Sequence, residues 1–360
     1  MDKESLKKLM ALIDDQDIID TMGRVSDNLD RVDRMKDQRI RPDSLKARAK
    51  DIHALLDADL EERVRTASSG LALVLTGGGG KGSYQAGACR ALLEILGKDD
   101  YSSRITGVAG TSAGALNAAL FAGGGPDIME KLWTIMEESR MNGTDGFFSP
   151  SEENDEYLEE LIRTSGVVEK ITPEGLLTVV TAFDYESGYP KDFILNQLSE
   201  QEKVTCLLAS SAFPIALKER ELGGARYIDG GVPVFGSNMP VAPLYHLGFR
   251  RFVVIHCSSR AEVSEWSEIG KLNTMINREQ YYNGAVFVHL YPGEDLGGIF
   301  SGTANFNHDY IMKNIELGYR DMIARQDDLK LLSEQPGPYD EVHVAGGERY
   351  RSYGELLDNL

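Results

Sequence analysis

The stretch Leu71-Ala72-Leu73-Val74-Leu75-Thr76-Gly77-Gly78-Gly79-Gly80-Lys81-Gly82 decides the fold. Its apolar run lacks polar alternation, as in a strand covered on both faces, and the glycine cluster turns the chain into a helix through Tyr84, Ala88, Ala91, Leu92 and Ile95. The pattern recurs downstream. ITGVAG at 105–110 is a second strand, followed by a small-residue helix from Ala113 to Phe121 that GGGP at 123–126 is expected to terminate. LLTVVTAF at 176–183, RFVVIHC at 251–257 and AVFVHLY at 285–291 are further strands. Strands alternating with helices predict an α/β fold, a sandwich around a mainly parallel sheet. Between Glu137 and Glu160 lies a glycine-, serine- and acid-rich surface excursion, with Phe147 and Phe148 at its tip. It reads equally as a flap over a site and as a solvated loop.

Upstream the texture differs. Residues 1–66 are charged, nearly free of aromatics and helical in period, and form an N-terminal helical segment ahead of a body at 67–360. Leu6, Leu9, Met10 and Ile13 make one stripe, and Ile18, Met22, Val25, Leu29 and Val32 repeat with heptad-like spacing. After Pro42, Asp43 or Ser44 caps a third helix with Leu45, Ala49, Ile52, Leu56, Leu60 and Val64 on one face. Packing of these stripes on the body or on each other is favoured over a dedicated coiled coil, which needs roughly three to four heptads. A regulatory partner or self-association through residues 1–66 is the alternative.

Composition narrows the function. The 360 residues, 42% hydrophobic and 26% charged, suffice for a full core. Lys+Arg 38 against Asp+Glu 57 gives a net charge of -19, which argues against nucleic acid and against adhesion to anionic lipid by overall charge. Peripheral membrane contact would then need a local patch. Cys89, Cys206 and Cys257 include no CxxC pair, so neither a disulfide framework nor a zinc site is expected. The opening MDKESLKKLMALIDDQD carries acids where a signal peptide needs an apolar core. No apolar run approaches the roughly 20 residues of a membrane-spanning helix. Cytoplasm is the default location, although secretion without a cleaved leader would leave no trace.

Gly110-Thr111-Ser112-Ala113-Gly114 joins a strand directly to a helix, the context of a nucleophile elbow. The flanking Gly110 and Gly114 allow the tight backbone, and the helix N-terminus places positive dipole beside Ser112. The glycine cluster at 77–82 is an anion cradle of one of three kinds. A P-loop needs Gly-Lys-Ser, whereas the order here is Lys81-Gly82-Ser83. A Rossmann fingerprint needs an acid ending the second strand, which instead runs into the serine. An oxyanion hole made by Gly78 and Gly79, with Gly80 or Lys81 nearby, explains both glycine motifs with one site. The base for Ser112 is open at this level. His289, His308 or His343 would complete a conventional triad, while Asp229 in Tyr227-Ile228-Asp229-Gly230-Gly231 is either a desolvated base or a turn residue.

GGGGKG at 77–82, GTSAG at 110–114 and DGG at 229–231, in this order, together resemble the patatin-like phospholipase family. ASSAFP at 209–214 and Asn238, Pro240 and Pro243 add to the likeness, which covers roughly residues 71–320. Several members have Asp where this chain has Thr76, a position that carries no catalytic group. The resemblance implies a patatin-like three-layer α/β/α sandwich and a catalytic domain over 67–360. It implies Ser112 as nucleophile, Asp229 as base, and an oxyanion hole from Gly77, Gly78, Gly79, Gly80, Lys81 and Gly82. The implied substrate is a phospholipid or other fatty acyl ester, cleaved through an acyl-enzyme without metal or cofactor. Competing readings are an α/β-hydrolase-type esterase or triacylglycerol lipase with a Ser-His-Asp triad, and a phosphate- or lipid-binding module without catalysis.

Overall fold

The two faces of β1 (Leu71–Leu75) organise the molecule. Leu71, Leu73 and Leu75 enter one hydrophobic core and Ala72 and Val74 another, as period-two alternation requires of a strand buried on both sides. A computed structural model describes residues 48, 50–97, 104–136, 141, 152–213, 217–231, 237–259, 282 and 284–334. The sheet has eight strands. β1 lies between β2 (Ile105–Thr111) and β7 (Arg251–Ile255), with β8 (Val286–Leu290) beyond β7 and β3 (Leu177–Asp184) beyond β2, all parallel. β4 (Tyr189–Ile194), β5 (Arg220–Leu222) and β6 (Ala225–Asp229) are antiparallel additions around β3.

Helices cover both faces. α1 (Ala58–Ala67) and α6 (Val241–His246) pack on the Ala72/Val74 side. On the other side lie α2 (Ser83–Leu96), α3 (Ala113–Ile135), α4 (Glu152–Thr164), α5 (Glu200–Ser211), α7 (His308–Ile323) and α8 (Gln326–Glu334). This is the expected three-layer α/β/α sandwich with a mainly parallel sheet.

Three expectations need correction. The helix expected across Leu45–Val64 is broken: residues 50–54 are helical, and Asp57 then caps a new helix by accepting from the Leu60 amide at 2.8 Å. Ile52, Leu60 and Val64 still face the core, while Leu45, Ala49, both candidate caps and the two upstream stripes lie outside the described residues. GGGP kinks α3 instead of ending it. Gly125 takes φ 75°, and Pro126 restarts the helix, where a missing N–H costs nothing. Finally, the excursion expected up to Glu160 is already helical from Glu152, with Tyr157, Leu158, Leu161 and Ile162 buried on one face. Phe147 and Phe148 lie outside the described residues.

The edge of β3 positions the site. β4 occupies one edge along residues 179–184, and β2 and β6 share the other end to end. β2 pairs up to Thr111↔Thr181, and β6 takes over at the next residue, Asp229↔Ala182. Because β6 runs antiparallel to β3, the C-terminal ends of β2 and β6 meet head-on. On the opposite edge Thr181 pairs with Asp192, whose buried carboxylate takes a bidentate ion pair from Arg48 at 2.6 and 2.8 Å and a hydrogen bond from the Thr181 hydroxyl at 2.6 Å. Arg48 thereby ties its stretch to the body across the boundary expected at residue 66.

Candidate active site

Ser112 follows β2 directly and precedes α3. Its backbone adopts φ 56°, ψ -128°, and among the described residues it alone is a non-glycine with positive φ. Such a conformation costs of order 1–3 kcal/mol and persists only where neighbours enforce it. Gly110 and Gly114 permit the elbow. A Cβ at Gly110 would stand 2.0 Å from the Gly114 carbonyl oxygen, so the turn can close only over a glycine. The Ser112 carbonyl accepts the Ala115 and Leu116 amides at 2.8 and 3.2 Å and so starts the helix, whose N-terminal dipole faces the serine.

At the other side of the head-on junction stands Asp229, 3% exposed. Its carboxylate receives hydrogen bonds from the Ser112 hydroxyl and from the Gly231 amide, the latter at 2.7 Å. Burial raises its pKa from an ordinary 3.8 to about 6, and those two hydrogen bonds oppose the rise. Two segments far apart in sequence, the elbow and the Asp-Gly-Gly turn, thus meet through their side chains.

The glycine loop closes over this pair. Its conformation is built for glycine at Gly79, with φ 57° and a Cβ position 2.2 Å from the Thr303 carbonyl oxygen. The Gly77 amide donates to the Asn238 carbonyl at 3.3 Å and the Lys81 amide to the Gly78 carbonyl at 3.2 Å. A cavity of about 250 Å³ has Gly77, Gly78, Gly79, Lys81, Ser112, Asp229 and Asn238 in its lining. The rest of its lining is mostly apolar, with Leu116, Trp133, Met136, Leu158, Phe213 and Phe306 among it, beside Ser211, Ser258 and Thr303. Gly80 and Gly82, grouped with the loop by sequence, do not line it. Gly80 abuts the Asn305 carbonyl and Gly82 the Trp133 ring.

The described histidines do not line the cavity. His256 and His289 hydrogen-bond to each other at 2.8 Å and both stack on Tyr291. Burial and the neighbouring His289 hold His256 well below the ordinary imidazole range. Neither lines the cavity, nor does His308 at the start of α7, and His343 lies outside the described residues. Among the described residues no group of three or more His, Cys, Asp or Glu side chains is arranged to hold a metal ion, and no helix is long and apolar enough to cross a membrane.

Sequence reasoning gave no role to a buried polar network behind the loop. Trp133 donates to Asn117 at 2.8 Å, and Asn117 donates to the Gly82 carbonyl at 2.9 Å and to Gln85 at 2.8 Å. Gln85 in turn donates to the carbonyls of Thr76 and Ile255 at 2.8 and 3.1 Å. The signal was Asn117 and Gln85 standing in otherwise apolar helical surroundings.

Residues 73–245 match the family model described as Patatin-like phospholipase. The match supports lipid acyl hydrolase activity in general terms. Among solved structures, VipD from Legionella pneumophila is similar over 72% of this chain and 67% of its own, at 14% identity and a TM-score of 0.43. No curated protein matches the chain.

Proposed function

We propose that the protein is a phospholipase A or lysophospholipase, cleaving fatty acyl esters of glycerophospholipids with Ser112 as nucleophile and Asp229 as base. The observation that carries this reading is the hydrogen bond from the Ser112 hydroxyl to a buried carboxylate, both groups lining a mostly apolar cavity. Asp229 accepts the serine proton as Oγ attacks the ester carbonyl, and its raised basicity suits it to that transfer. The Gly77 amide is spent on the Asn238 carbonyl and the Lys81 amide on that of Gly78, which leaves Gly78 and Gly79 as the cavity-lining loop amides to meet the developing oxyanion. Collapse returns the proton from Asp229 to the departing lysophospholipid alcohol and leaves the acyl group on Ser112. Water then attacks this ester, Asp229 takes its proton, and the fatty acid departs as the serine regains its hydrogen. The mostly apolar lining suits an acyl chain, and approach to a membrane surface from the water side is the corresponding mode of access.

The test is hydrolysis of a panel of phospholipids, lysophospholipids and triglycerides by the wild type, Ser112→Ala and Asp229→Asn, with labelling by a fluorophosphonate probe. Wild-type turnover and labelling, both lost on Ser112→Ala, are expected. Retained turnover in either variant would refute the Ser-Asp pair.

A further inference from the structure

The strained elbow has to be held by something, and its amide leads to the holder. The Ser112 N–H donates to the Ser210 hydroxyl at 2.9 Å, and that hydroxyl donates to the Thr181 carbonyl at 2.7 Å. A carbonyl can only accept, so the Ser210 proton is committed to Thr181 and its lone pair faces the Ser112 amide. In a regular parallel ladder paired at Thr111↔Thr181, the next amide of β2 would bond the Thr181 carbonyl directly. The elbow leaves the ladder there, and the gap is filled by one hydroxyl oxygen.

The same helix end also grips the acid. The Asp229 amide donates to the Ala212 carbonyl at 3.0 Å and the Gly230 amide to the Ser210 carbonyl at 3.3 Å. Ser210 and Ala212, at the end of α5, therefore fix the backbone of both reacting residues, and Ser210 is fully buried. We propose that Ser210 is a positioning residue of the reaction, whose hydroxyl sets the distance between Ser112 and Asp229 by spacing the elbow from β3. This rests on the reading of those two residues as nucleophile and base. Without the hydroxyl, the Ser112 amide either stays unpaired or closes on Thr181 and draws the nucleophile off its base, and misplacement of about 1 Å can cost ~10²-fold in rate.

The experiment compares the full-length wild type with Ser210→Ala, Ser210→Cys and Ser210→Thr. The readouts are phospholipid hydrolysis, the rate constant for fluorophosphonate labelling of Ser112, their pH dependence, and thermal melting. For Ser210→Ala, kcat and the labelling constant should fall about 10- to 100-fold with KM unchanged. The pH midpoint should move upward, because Asp229 loses the Ser112 hydrogen bond that opposes its raised pKa. Ser210→Cys, with a weaker donor, should lose less, and Ser210→Thr should recover most of the rate. Folded Ser210→Ala labelling at the wild-type rate would overturn the inference, as would losses in Ser210→Ala and Ser210→Cys that merely track the unfolded fraction. A wild type that neither turns over ester nor labels at Ser112 would instead overturn the reading of the site, and this inference with it.

Discussion

Two buried aspartates stand on opposite edges of β3, one residue apart in register. Asp192, opposite Thr181, is 4% exposed, and Asp229, opposite Ala182, is 3% exposed. Asp192 is clamped by the Arg48 guanidinium and the Thr181 hydroxyl. Asp229 has a hydroxyl and one amide, and its proton affinity is raised accordingly. The same side chain at the same depth is thus structural where a cation balances it and basic where only neutral donors do. Burial alone says little about which role a carboxylate plays; its partners decide.

Substitution at the two positions should separate the roles. Asp229→Asn removes the proton acceptor and is expected to lower turnover ~10²- to 10⁴-fold, the usual worth of a general base, with the melting temperature at neutral pH equal to or above that of the wild type. Asp192→Asn should do the opposite. It leaves Arg48 buried and unbalanced, so urea unfolding should show a loss of about 3–5 kcal/mol while turnover of the folded fraction stays within a few-fold. A stable but inactive Asp192→Asn protein would break the comparison.

pH sharpens it. Activity should rise with pH through about 6 as Asp229 ionises. Stability should move the other way. With a folded pKa of about 6 against an unfolded 3.8, the native state binds the extra proton between those values, so stability contributed by this group is present below 3.8 and lost as pH rises through 6. The loss is about 3 kcal/mol. Asp229→Asn should abolish this component of the pH–stability curve. The smallest effect expected is that of His289→Asn, with turnover within about twofold of the wild type because its ring lies outside the cavity. A large loss there would favour an imidazole-based triad.

Much of this was legible in the sequence, for physical reasons. β1, β2, β3 and β7 are buried on both faces and so appear as mainly apolar runs, the edge strand β8 (Val286–Leu290) is apolar apart from His289, and the turns after β1 and β2 need glycines that show plainly. The antiparallel strands were not legible. Tyr189–Ile194 contains Pro190 and Lys191, and Ala225–Asp229 is short and half polar. The meeting of Ser112 with Asp229 depends on two strands sharing one edge of a third, a long-range pairing without local signature. The Arg48–Asp192 pair is hidden similarly, since either residue alone reads as a surface charge. ASSAF at 209–213 was visible as a motif, but only the geometry gives Ser210 a job.

The abutment of β2 and β6 on β3 turns the alignment of Ser112 with Asp229 into a matter of counting. One residue inserted between Thr181 and Ala182 would shift the partner of Asp229 by about 3.3 Å and present the opposite side of β6 to the serine. By contrast, the reversal at Gly223 and Gly224, both with positive φ and open space around them, lies away from that joint and can tolerate a change of length. Insertions at the hairpin tip should be silent, and a single one at the joint should separate Ser112 from Asp229.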